Sequence, residues 1–384
     1  MKYGKGLFFM SILMDSPNLV DIKNGKKIDW QEMKRQSNQL AVIYRKISDK
    51  LRDRKKFALS EKYKKRSENV AQCNSSLLFG YESNKIDKKL VYCNNCRDRG
   101  CVLCNHKKSR VHAFQLNKIL KKSKEKYNDL GFIFCTFTIR NIENDPDVLH
   151  ETISQINRAF GRMMRYSRVI GKNGKEIDPE NRIIKGSIKN VEVTYNEKTD
   201  TLHPHIHAIF VVDKELYFSK KYDNYIDHDE WVSLWRRALG VDYDPSVHVE
   251  KLHSNSKSMD DLSSAILELS KYETKPSAVL IGGIDLDKAM KVVYSMTEGL
   301  KNTRSFSFAG ILKEIKNEIF GDRDLNDISD DEMINVDGQS ELDLNNCQFV
   351  QYRWSSVDQD YIEVPVESDL ISYIREKFGG KVVA

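Results

Sequence analysis

The chain of 384 residues is long enough for two or three domains, and its 40% hydrophobic and 31% charged residues are typical of a soluble globular protein. Its longest apolar runs are about ten residues, too short for a helix that crosses a bilayer. The net charge of +6 hides an asymmetry: residues 321–384 hold 15 Asp and Glu against 5 Lys and Arg, so residues 1–320 carry +16.

The basic body favours a polyanionic partner such as nucleic acid, and the acidic C-terminal segment is typical of a solvated or interaction segment. At the N-terminus two lysines precede a short apolar stretch, as in a signal peptide. However, Asp15, Ser16 and Pro17 stand where a small-residue cleavage site is needed. We therefore expect a cytoplasmic protein with no membrane segment.

Composition divides the chain into four regions. Residues 1–70 are highly charged and predict a helix over residues 30–54, where apolar side chains recur at helical spacing. Residues 71–128 hold five of the seven cysteines and end in a basic helix. Residues 129–320 alternate strands with amphipathic helices, and residues 321–384 form the acidic tail.

The cysteine cluster predicts a structural zinc site. Thiolates in C-x2-C pairs are typical tetrahedral zinc ligands, and their clustering in a chain of this size favours metal over disulfides. A local interpretation selects two pairs, Cys93 with Cys96 and Cys101 with Cys104. Because Cys73 lies upstream as a fifth candidate, the spacing alone leaves open which four thiols bind the metal.

From residue 131 onward the pattern predicts elements in the order β-α-β-β-α-β. The strands are FIFCTFTI, IKNVEVTYN, the run from His203 to Val212, and SVHVEKL, and the crossover helices span residues 147–168 and 229–239. This order predicts an α+β fold of the ferredoxin-like, split βαβ type, an antiparallel sheet with helices on one face. Further helices are predicted over residues 259–271, 285–302 and 309–320.

Three histidines occupy alternate positions in LHPHIHAIFVV. Because residues i, i+2 and i+4 of a strand share one face, His203, His205 and His207 line up beside a buried apolar run. Two such imidazoles can bind one divalent ion. A hairpin turn centred on residues 199–200 places Glu192 almost opposite His207, which makes this carboxylate a candidate third ligand.

A second constellation lies in LELSKYETK, where Glu268 and Tyr272 share one face of a predicted helix. Lys271 and Lys275 flank the phenol, and nearby cations favour its phenolate form, a better nucleophile. Glu268 is a candidate general base for a hydroxyl or a water. Such a pair alone is usually a packing or surface feature, but beside a metal it predicts attack on a phosphate.

Together these motifs resemble those of the HUH endonucleases, and in particular the replication initiator proteins of rolling-circle plasmids. FCTFTIRN resembles the first motif of that family, VEVTYNEKTDTLHPHIHAIF the second, metal-binding motif, and ELSKYETK the third, which carries the nicking tyrosine. WVSLWRRA, VHVEKL and SFSFAGILKEI are similar to its connecting segments. The resemblance spans roughly residues 22–320 and leaves the acidic tail outside.

The resemblance implies a metal-dependent nickase and strand transferase that acts at the double-strand origin of a plasmid. Tyr272 is implied to become joined to the 5′-phosphate, which leaves a 3′-OH that primes synthesis. Glu268 is implied to activate water in the termination step. Lys275 is implied to lie close to the phosphate, with Lys271 as a competitor for that role.

The resemblance also implies two metals. His205 and His207 are expected to hold Mg²⁺ or Mn²⁺, whereas Glu192 as the third ligand is our own assignment from hairpin geometry. The cysteine run resembles the C-x4-C-x2-C of the family, which implies a structural zinc ion bound by Cys73, Cys96, Cys101 and Cys104, with Cys93 as the alternative.

The implied partners are the plasmid origin, its single-stranded nick site and a host helicase, and a dimer is among the oligomeric states that we consider. Two alternatives stay open. One is a single-tyrosine HUH transposase or relaxase, which differs in motif order or carries added helicase domains. The other is a non-catalytic, zinc-containing DNA-binding regulator whose histidines are structural.

Overall fold

The computed structural model divides the chain into two compact units. The terminal unit combines residues 1–108 with residues 329–384, and the central unit comprises residues 109–328. The structure describes residues 20–23, 26–81, 89–166, 183–222, 224–252, 259–270, 285–304, 306–334, 341–377 and 381–383.

Strands and helices alternate along the described residues. The strands are β1 (Val20–Lys23), β2 (Lys26–Asp29), β3 (Ser76–Tyr81), β4 (Lys89–Cys93), β5 (Leu130–Thr138), β6 (Ile142–Glu143), β7 (Ile184–Asn196), β8 (Thr201–Asp213), β9 (Val247–Leu252), β10 (Phe306–Gly310), β11 (Glu341–Asp343), β12 (Gln348–Ser355), β13 (Asp360–Val364) and β14 (Lys381–Val383). The helices are α1 (Trp30–Asp53), α2 (Phe57–Gln72), α3 (Val102–Lys126), α4 (Pro146–Met163), α5 (Lys214–Phe218), α6 (His228–Leu239), α7 (Met259–Leu269), α8 (Leu286–Gly299), α9 (Ile311–Phe320), α10 (Asp330–Ile334) and α11 (Ser368–Lys377). Among these described helices, none is both long and apolar enough to cross a membrane.

A six-stranded antiparallel sheet forms the middle of the central unit. Its main path has the order β10-β7-β8-β5-β9, and the short β6 pairs with β8 outside that path. Together with the antiparallel sheet of the terminal unit, this confirms the predicted α+β class. Strand β8 lies in the middle of the path, so the histidine stretch is placed at the centre of the sheet.

Helices α4 and α6 pack on one face of this sheet through aromatic side chains. Phe137 of β5 and Phe210 of β8 meet Phe160 of α4 and Trp231 of α6, with ring centroids 5.4–6.1 Å apart. Helix α4 begins where the Asp145 side chain accepts hydrogen bonds from two backbone N–H groups of the first turn. These two crossover helices therefore occupy the face that the β-α-β-β-α-β order predicts.

The opposite face of the sheet is covered by the C-terminal part of α3 together with α7 and α9. These helices join the sheet in one hydrophobic cluster, which includes Leu116, Ile119, Phe132, Phe134, Ile188, Ile209, Val211, Ile266, Leu269, Leu312 and Ile315. The prediction of helices on one face only is therefore wrong. Strands β5, β7 and β8 carry apolar side chains on both faces, and each apolar face needs a layer that removes it from water.

The terminal unit contains a helical pair and a four-stranded antiparallel sheet. Helices α1 and α2 pack together, and α1 buries a stripe that includes Leu40, Tyr44, Ile47 and Leu51. The sheet has the order β13-β12-β3-β4. Ile374 of α11 is fully buried in the apolar cluster on this sheet. The unit thus has its own hydrophobic core.

Residues 321–384 do not form the solvated tail that their composition predicted. Strand β12 pairs with β3 from Gln348 opposite Tyr81 to Arg353 opposite Ser76. Tyr361 of β13 is 3% exposed, and its hydroxyl donates to the backbone oxygen of Asn74 at 2.8 Å. A net charge averages over the whole segment, and it hides the alternation of apolar and polar residues that builds these strands.

Candidate active site and metal centres

Glu192 of β7 lies against the imidazoles of His205 and His207 on β8. Its Oε2 atom is 3.0 Å from Nε2 of His207 and 3.4 Å from Nε2 of His205. Glu192 is 1% exposed and His207 is 5% exposed. The ligand atoms of the three residues lie within 4.8 Å of one another, and two imidazoles with one carboxylate are a donor set that fits a divalent cation.

The register of the hairpin differs from the predicted register by two residues. Glu192 is the direct partner of His205, and Asn190 is the partner of His207. The turn lies between Asn196 and Thr201, which are themselves paired. The prediction that Glu192 lies opposite His207 is therefore wrong. Because a shift of two residues keeps every side chain on its own face, the carboxylate still reaches both imidazoles.

Hydrogen bonds on the far side of each ring orient the two imidazoles. Nδ1 of His205 lies 3.2 Å from the backbone oxygen of His203, so this nitrogen donates, and in the neutral ring Nε2 presents a lone pair towards Glu192. Nδ1 of His207 lies 3.0 Å from Oγ1 of Thr136, and Phe134 stacks on the same ring at 5.7 Å. Such contacts fix the ring orientation of metal-binding histidines.

His203 shares the face of the other two histidines but does not join the triad. Its Nδ1 atom lies 2.7 Å from Oδ1 of Asn141, the residue that ends the FCTFTIRN stretch. Burial, and then the neighbouring His205, lower the pKa of His203. The rings of His203 and His205 line an open groove of about 750 Å³ together with Thr136 and Thr138, so the triad borders this groove through His205.

Glu268 approaches the triad from helix α7. Its Oε1 atom is 3.9 Å from Nε2 of His207, and its side chain is 34% exposed. The buried Asn190 of β7 donates from Nδ2 to the backbone oxygen of Leu269 at 2.8 Å, which ties the end of α7 to the strand that carries Glu192. The general base suggested by the sequence therefore lies beside His207.

The other predicted residues of that helix lie outside the described part of the chain. Helix α7 is described as far as Leu269, whereas the sequence predicted helix to residue 271. Tyr272, Lys271 and Lys275 all follow that point. The convergence of the phenol with the triad stays a prediction.

Four thiols meet in the terminal unit: those of Cys73, Cys96, Cys101 and Cys104. Sγ of Cys73 lies 3.4 Å from that of Cys104 and 3.6 Å from that of Cys101, and Cys96 lies 3.7 Å from Cys104. Sulfur atoms about 2.3 Å from a tetrahedral zinc are about 3.8 Å apart. The spacing and chemistry of these donors therefore fit a zinc ion.

Cys93 lies outside this four-thiol set and contacts a buried lysine instead. Nζ of Lys107 donates to Sγ of Cys93 at 2.7 Å and to the side-chain oxygens of Asn74 and Asn95 at 2.9 and 2.8 Å. Burial alone would lower the pKa of Lys107, but the adjacent Cys93 and further thiols raise it overall. The structure thus brings together the set that the family resemblance implies, and not the two C-x2-C pairs.

A second buried lysine borders the four thiols. Lys34 of α1 is 0% exposed, and its Nζ atom donates to the backbone oxygens of Ala71 and Cys73 at 2.6 and 2.7 Å. Burial lowers the pKa of Lys34, and the thiols of Cys73 and its neighbours oppose that shift. Because zinc with four thiolates carries two net negative charges, the ammonium groups of Lys34 and Lys107 complement a loaded site.

Comparison with known proteins assigns the family. The family model described as "Replication protein" (Rep_1) matches residues 87–362, which is more than half of the chain. The chain belongs to this replication protein family. The match contains Glu192, His205 and His207 and three of the four clustered thiols.

Members of the replication protein family from several bacteria resemble the chain along most of their length. "Protein rep" of Bacillus amyloliquefaciens is 28% identical over 349 residues, which are 88% of this chain and 94% of the relative. "Protein rep" of Streptococcus pneumoniae is 28% identical over 341 residues, 88% of this chain and 93% of the relative. "Replication protein" of Staphylococcus aureus is 28% identical over 244 residues, 63% of this chain and 95% of the relative. No solved structure matches the chain significantly.

Membership of the replication protein family confirms the resemblance noted in the sequence and extends it at the C-terminal end. The sequence motifs suggested a resemblance over roughly residues 22–320, but the family match continues to residue 362 and includes β12. Part of the acidic segment therefore belongs to the family region. The HUH chemistry and the single tyrosine stay predictions.

The structure adds residues that sequence reasoning did not single out. Thr136 and Asn190 lie on the same sheet face as the triad, and both were readable as polar residues at inward positions of apolar strands. Lys107 follows Cys104 by one helical turn, a spacing that places the ammonium beside the thiols. Lys34 has no such local signal, because its neighbours come from a different part of the chain.

Proposed function

We propose that this chain is a plasmid rolling-circle replication initiator that nicks one strand of the double-strand origin and transfers it through a phosphotyrosine intermediate. The observation that carries the proposal is the buried centre of Glu192, His205 and His207 in a member of the replication protein family. This centre opens to a groove in which a DNA strand can approach. Its donor set suits a cation that acts on a phosphodiester.

The arrangement of the central sheet supports an HUH endonuclease domain of the ferredoxin-like type. The elements β5, α4, β7, β8, α6 and β9 follow the β-α-β-β-α-β order, and β5 pairs antiparallel with both β8 and β9. The triad lies on the sheet face opposite α4 and α6, which is the face that also contacts α3, α7 and α9. The proposed catalytic residues and the two crossover helices therefore lie on different faces of the sheet.

The divalent ion is Mg²⁺ or Mn²⁺ in this proposal. His205 and His207 would hold it, and Glu192 would be the third ligand. When bound, the cation polarises the scissile phosphate and offsets the charge that develops during displacement. Thr136 keeps the His207 ring in the orientation that points Nε2 at the site.

Tyr272 is the nucleophile. Its phenolate oxygen forms a bond to the scissile phosphorus, the bond to the 3′-oxygen breaks, and that oxygen takes up a proton to become the primer 3′-OH. Lys275, with Lys271 as the alternative, lies near the phosphate and favours the phenolate. Support for this placement comes from Glu268 on α7, which lies 3.9 Å from His207 just before this segment.

Glu268 acts after synthesis has passed round the plasmid. It accepts a proton from a water molecule, which attacks the phosphotyrosine bond and releases Tyr272. A carboxylate that is 34% exposed can exchange this proton with solvent, which suits the role. An enzyme with one nucleophilic tyrosine needs such a group to end the cycle.

The remaining parts of the proposal concern zinc and partners. Zn²⁺ bound by Cys73, Cys96, Cys101 and Cys104 would be structural, because four thiolates would complete its coordination and leave no open position for a substrate. The charge of +16 on residues 1–320 supports binding to the origin duplex and to the exposed single strand. A host helicase would then extend the opened region.

The test is cleavage of a 3′-labelled single-stranded oligonucleotide that spans the nick site of the plasmid encoding the chain. With Mn²⁺, the label should become attached to the protein, and peptide mapping should place it on Tyr272. Tyr272→Phe should bind the oligonucleotide and leave it intact. Attachment to another residue would refute the assigned nucleophile. Binding without cleavage by the wild type would favour the non-catalytic regulator.

A further inference from the structure

A second polar pocket lies in the central unit, on the other face of the sheet from the triad. It has a volume of about 470 Å³ and is formed by α4, β7, β10 and the segment after α8. Lys189 lies at its base. This residue pairs with Ala208, whereas its neighbour Asn190 pairs with His207, so Lys189 projects to the face opposite the triad.

The ammonium group of Lys189 is half-buried without a carboxylate beside it. Its Nζ atom donates to Oδ1 of Asn157 and lies 5.1 Å from the ring centroid of Phe160. Within the described part of the chain, no Asp or Glu lines the pocket. Burial lowers the pKa of Lys189 to about 8, which shows how poorly its charge is solvated. An anion in the pocket would supply the missing counter-charge.

Two guanidinium groups lie at the rim of the same pocket. Arg158 of α4 lines the pocket and donates from Nη1 to the hydroxyl of Ser154 at 2.9 Å, which uses one of the five N–H donors of a guanidinium group. Arg304 is 80% exposed and lies 3.6 Å from Asp324, a loose contact at the surface. Hydroxyl and amide side chains, with His150 and Ile153, complete the lining. Two guanidinium groups and neutral donors around a half-buried ammonium group match the geometry and charge of a phosphate group.

We propose that this pocket binds a backbone phosphate of the origin DNA away from the nick site. The inference rests on the proposed function in that DNA is taken as the substrate. Because the pocket and the triad lie on opposite faces of one sheet, a single phosphate cannot occupy both. The pocket therefore contributes to holding the duplex that flanks the cleaved strand, and it takes no part in bond cleavage.

The test measures binding of a labelled origin duplex by fluorescence anisotropy between 50 and 200 mM salt. Lys189→Gln and Arg158→Gln should each weaken binding about three- to tenfold and reduce the slope of log affinity against log salt by about 0.9, the share of one phosphate contact. Lys220→Gln removes one charge from an exposed residue outside the pocket and is the matched control. Arg158 is exposed, so its variant should fold even if Lys189→Gln does not.

The salt slopes and a competition with inorganic phosphate both test the proposal. Unchanged salt slopes in both pocket variants, or an equal loss in Lys220→Gln, would overturn the proposal. Inorganic phosphate at constant ionic strength should compete with the duplex for the wild type but not for the pocket variants. Phosphate binding that leaves DNA affinity untouched would assign the pocket to a free anion and overturn the DNA assignment.

Cleavage of a short oligonucleotide that carries only the nick site should proceed at the wild-type rate in both pocket variants. A slower cleavage step would show that the pocket takes part in catalysis, and it would refute the proposed separation of the pocket from the cleavage site. If the wild type does not cleave the oligonucleotide and the pocket variants still show a smaller slope of log affinity against log salt, the nickase proposal is wrong and the phosphate pocket is supported.

Discussion

Glu192 and His205 are direct partners across the β7–β8 hairpin, and Oε2 of the carboxylate lies 3.4 Å from Nε2 of the imidazole. Because Nδ1 of His205 donates to the backbone oxygen of His203, both of the facing atoms are acceptors when the ring is neutral. Two buried acceptors at this separation repel each other unless a proton or a metal ion lies between them. The folded chain thus holds these donor atoms in an arrangement that fits a cation.

Glu192→Gln should have opposite effects on stability and on metal binding. A Gln amide can donate to the imidazole that Glu192 now faces, so the metal-free protein should be as stable as the wild type or more stable by about 1 kcal/mol. Mn²⁺ binding should fall by at least about tenfold, since one anionic ligand is lost. Thermal melting with EDTA and titration with Mn²⁺ measure the two effects.

Glu197→Gln is the matched control, because it removes an exposed carboxylate from the same hairpin. It should change neither quantity. Unaltered Mn²⁺ affinity in Glu192→Gln would show that the carboxylate is not a ligand, whatever the effect on melting.

Thr136→Val should weaken metal binding without touching a ligand. The exchange keeps the side-chain shape but removes the oxygen that lies 3.0 Å from Nδ1 of His207. Loss of such a contact typically costs about 10–100-fold in metal affinity. Thr138→Val is the control, because its hydroxyl donates to the backbone oxygen of Ser246 and not to a histidine. Equal Mn²⁺ affinities for the two variants would refute the orienting role of Thr136.

Much of the fold was predictable because amphipathic periodicity is strong where an element has one apolar face. Helix α4 was expected over residues 147–168 and spans Pro146–Met163, and the strands of the hairpin were placed within a few residues. The sharing of one face by Glu192 and the histidines was also predictable, since it depends only on a period of two.

What escaped prediction depends on long-range pairing. The register of the hairpin is set by its turn. This turn ends at Asp200, which has a φ of 49°, and its centre lies one residue earlier in the chain than the sequence suggested. The pairing of β12 with β3 joins segments far apart in the chain, so no local pattern announces it. The buried position of Lys34 has the same origin, because its acceptors belong to a later helix end.

Glu268→Gln should separate the two halves of the proposed reaction. Cleavage needs the metal and the phenol, and it should proceed at close to the wild-type rate. Release of the covalent adduct needs a base for water and should slow by about 10²–10⁴-fold. Denaturing gels of protein with a labelled origin oligonucleotide should show an adduct that persists, whereas Tyr272→Phe should show none. Wild-type adduct turnover in Glu268→Gln would remove this carboxylate from the mechanism.

Serine substitutions should distinguish the two candidate sets of zinc ligands. Cys73→Ser removes a thiol that belongs only to the four converging thiols and should abolish stoichiometric zinc, with a loss of thermal stability. Cys93→Ser alters the thiol that lies beside Lys107 and should retain one zinc per chain. Metal analysis of the purified proteins measures the difference. Loss of zinc in Cys93→Ser with retention of zinc through Cys73→Ser would favour the two C-x2-C pairs instead.

Lys107→Met should weaken zinc binding while all four ligands stay in place. The buried ammonium lies 2.7 Å from Cys93 and contributes a positive charge next to a site whose loaded form carries two negative charges. Methionine fills a similar volume without the charge, so zinc affinity measured by chelator competition should fall about 10–100-fold, as for other groups that support metal ligands.

The neighbouring Lys108 provides the control for this change, because its Nζ atom donates to the backbone oxygen of Arg97 at 3.5 Å, away from the thiols, and its side chain is partly exposed. Lys108→Met should bind zinc as the wild type does. If Lys107→Met also keeps wild-type affinity but melts at a lower temperature, the ammonium serves only its hydrogen bonds to Asn74, Asn95 and Cys93. A loss of affinity confined to Lys107→Met would instead show that the fold places this charge to stabilise a tetrathiolate.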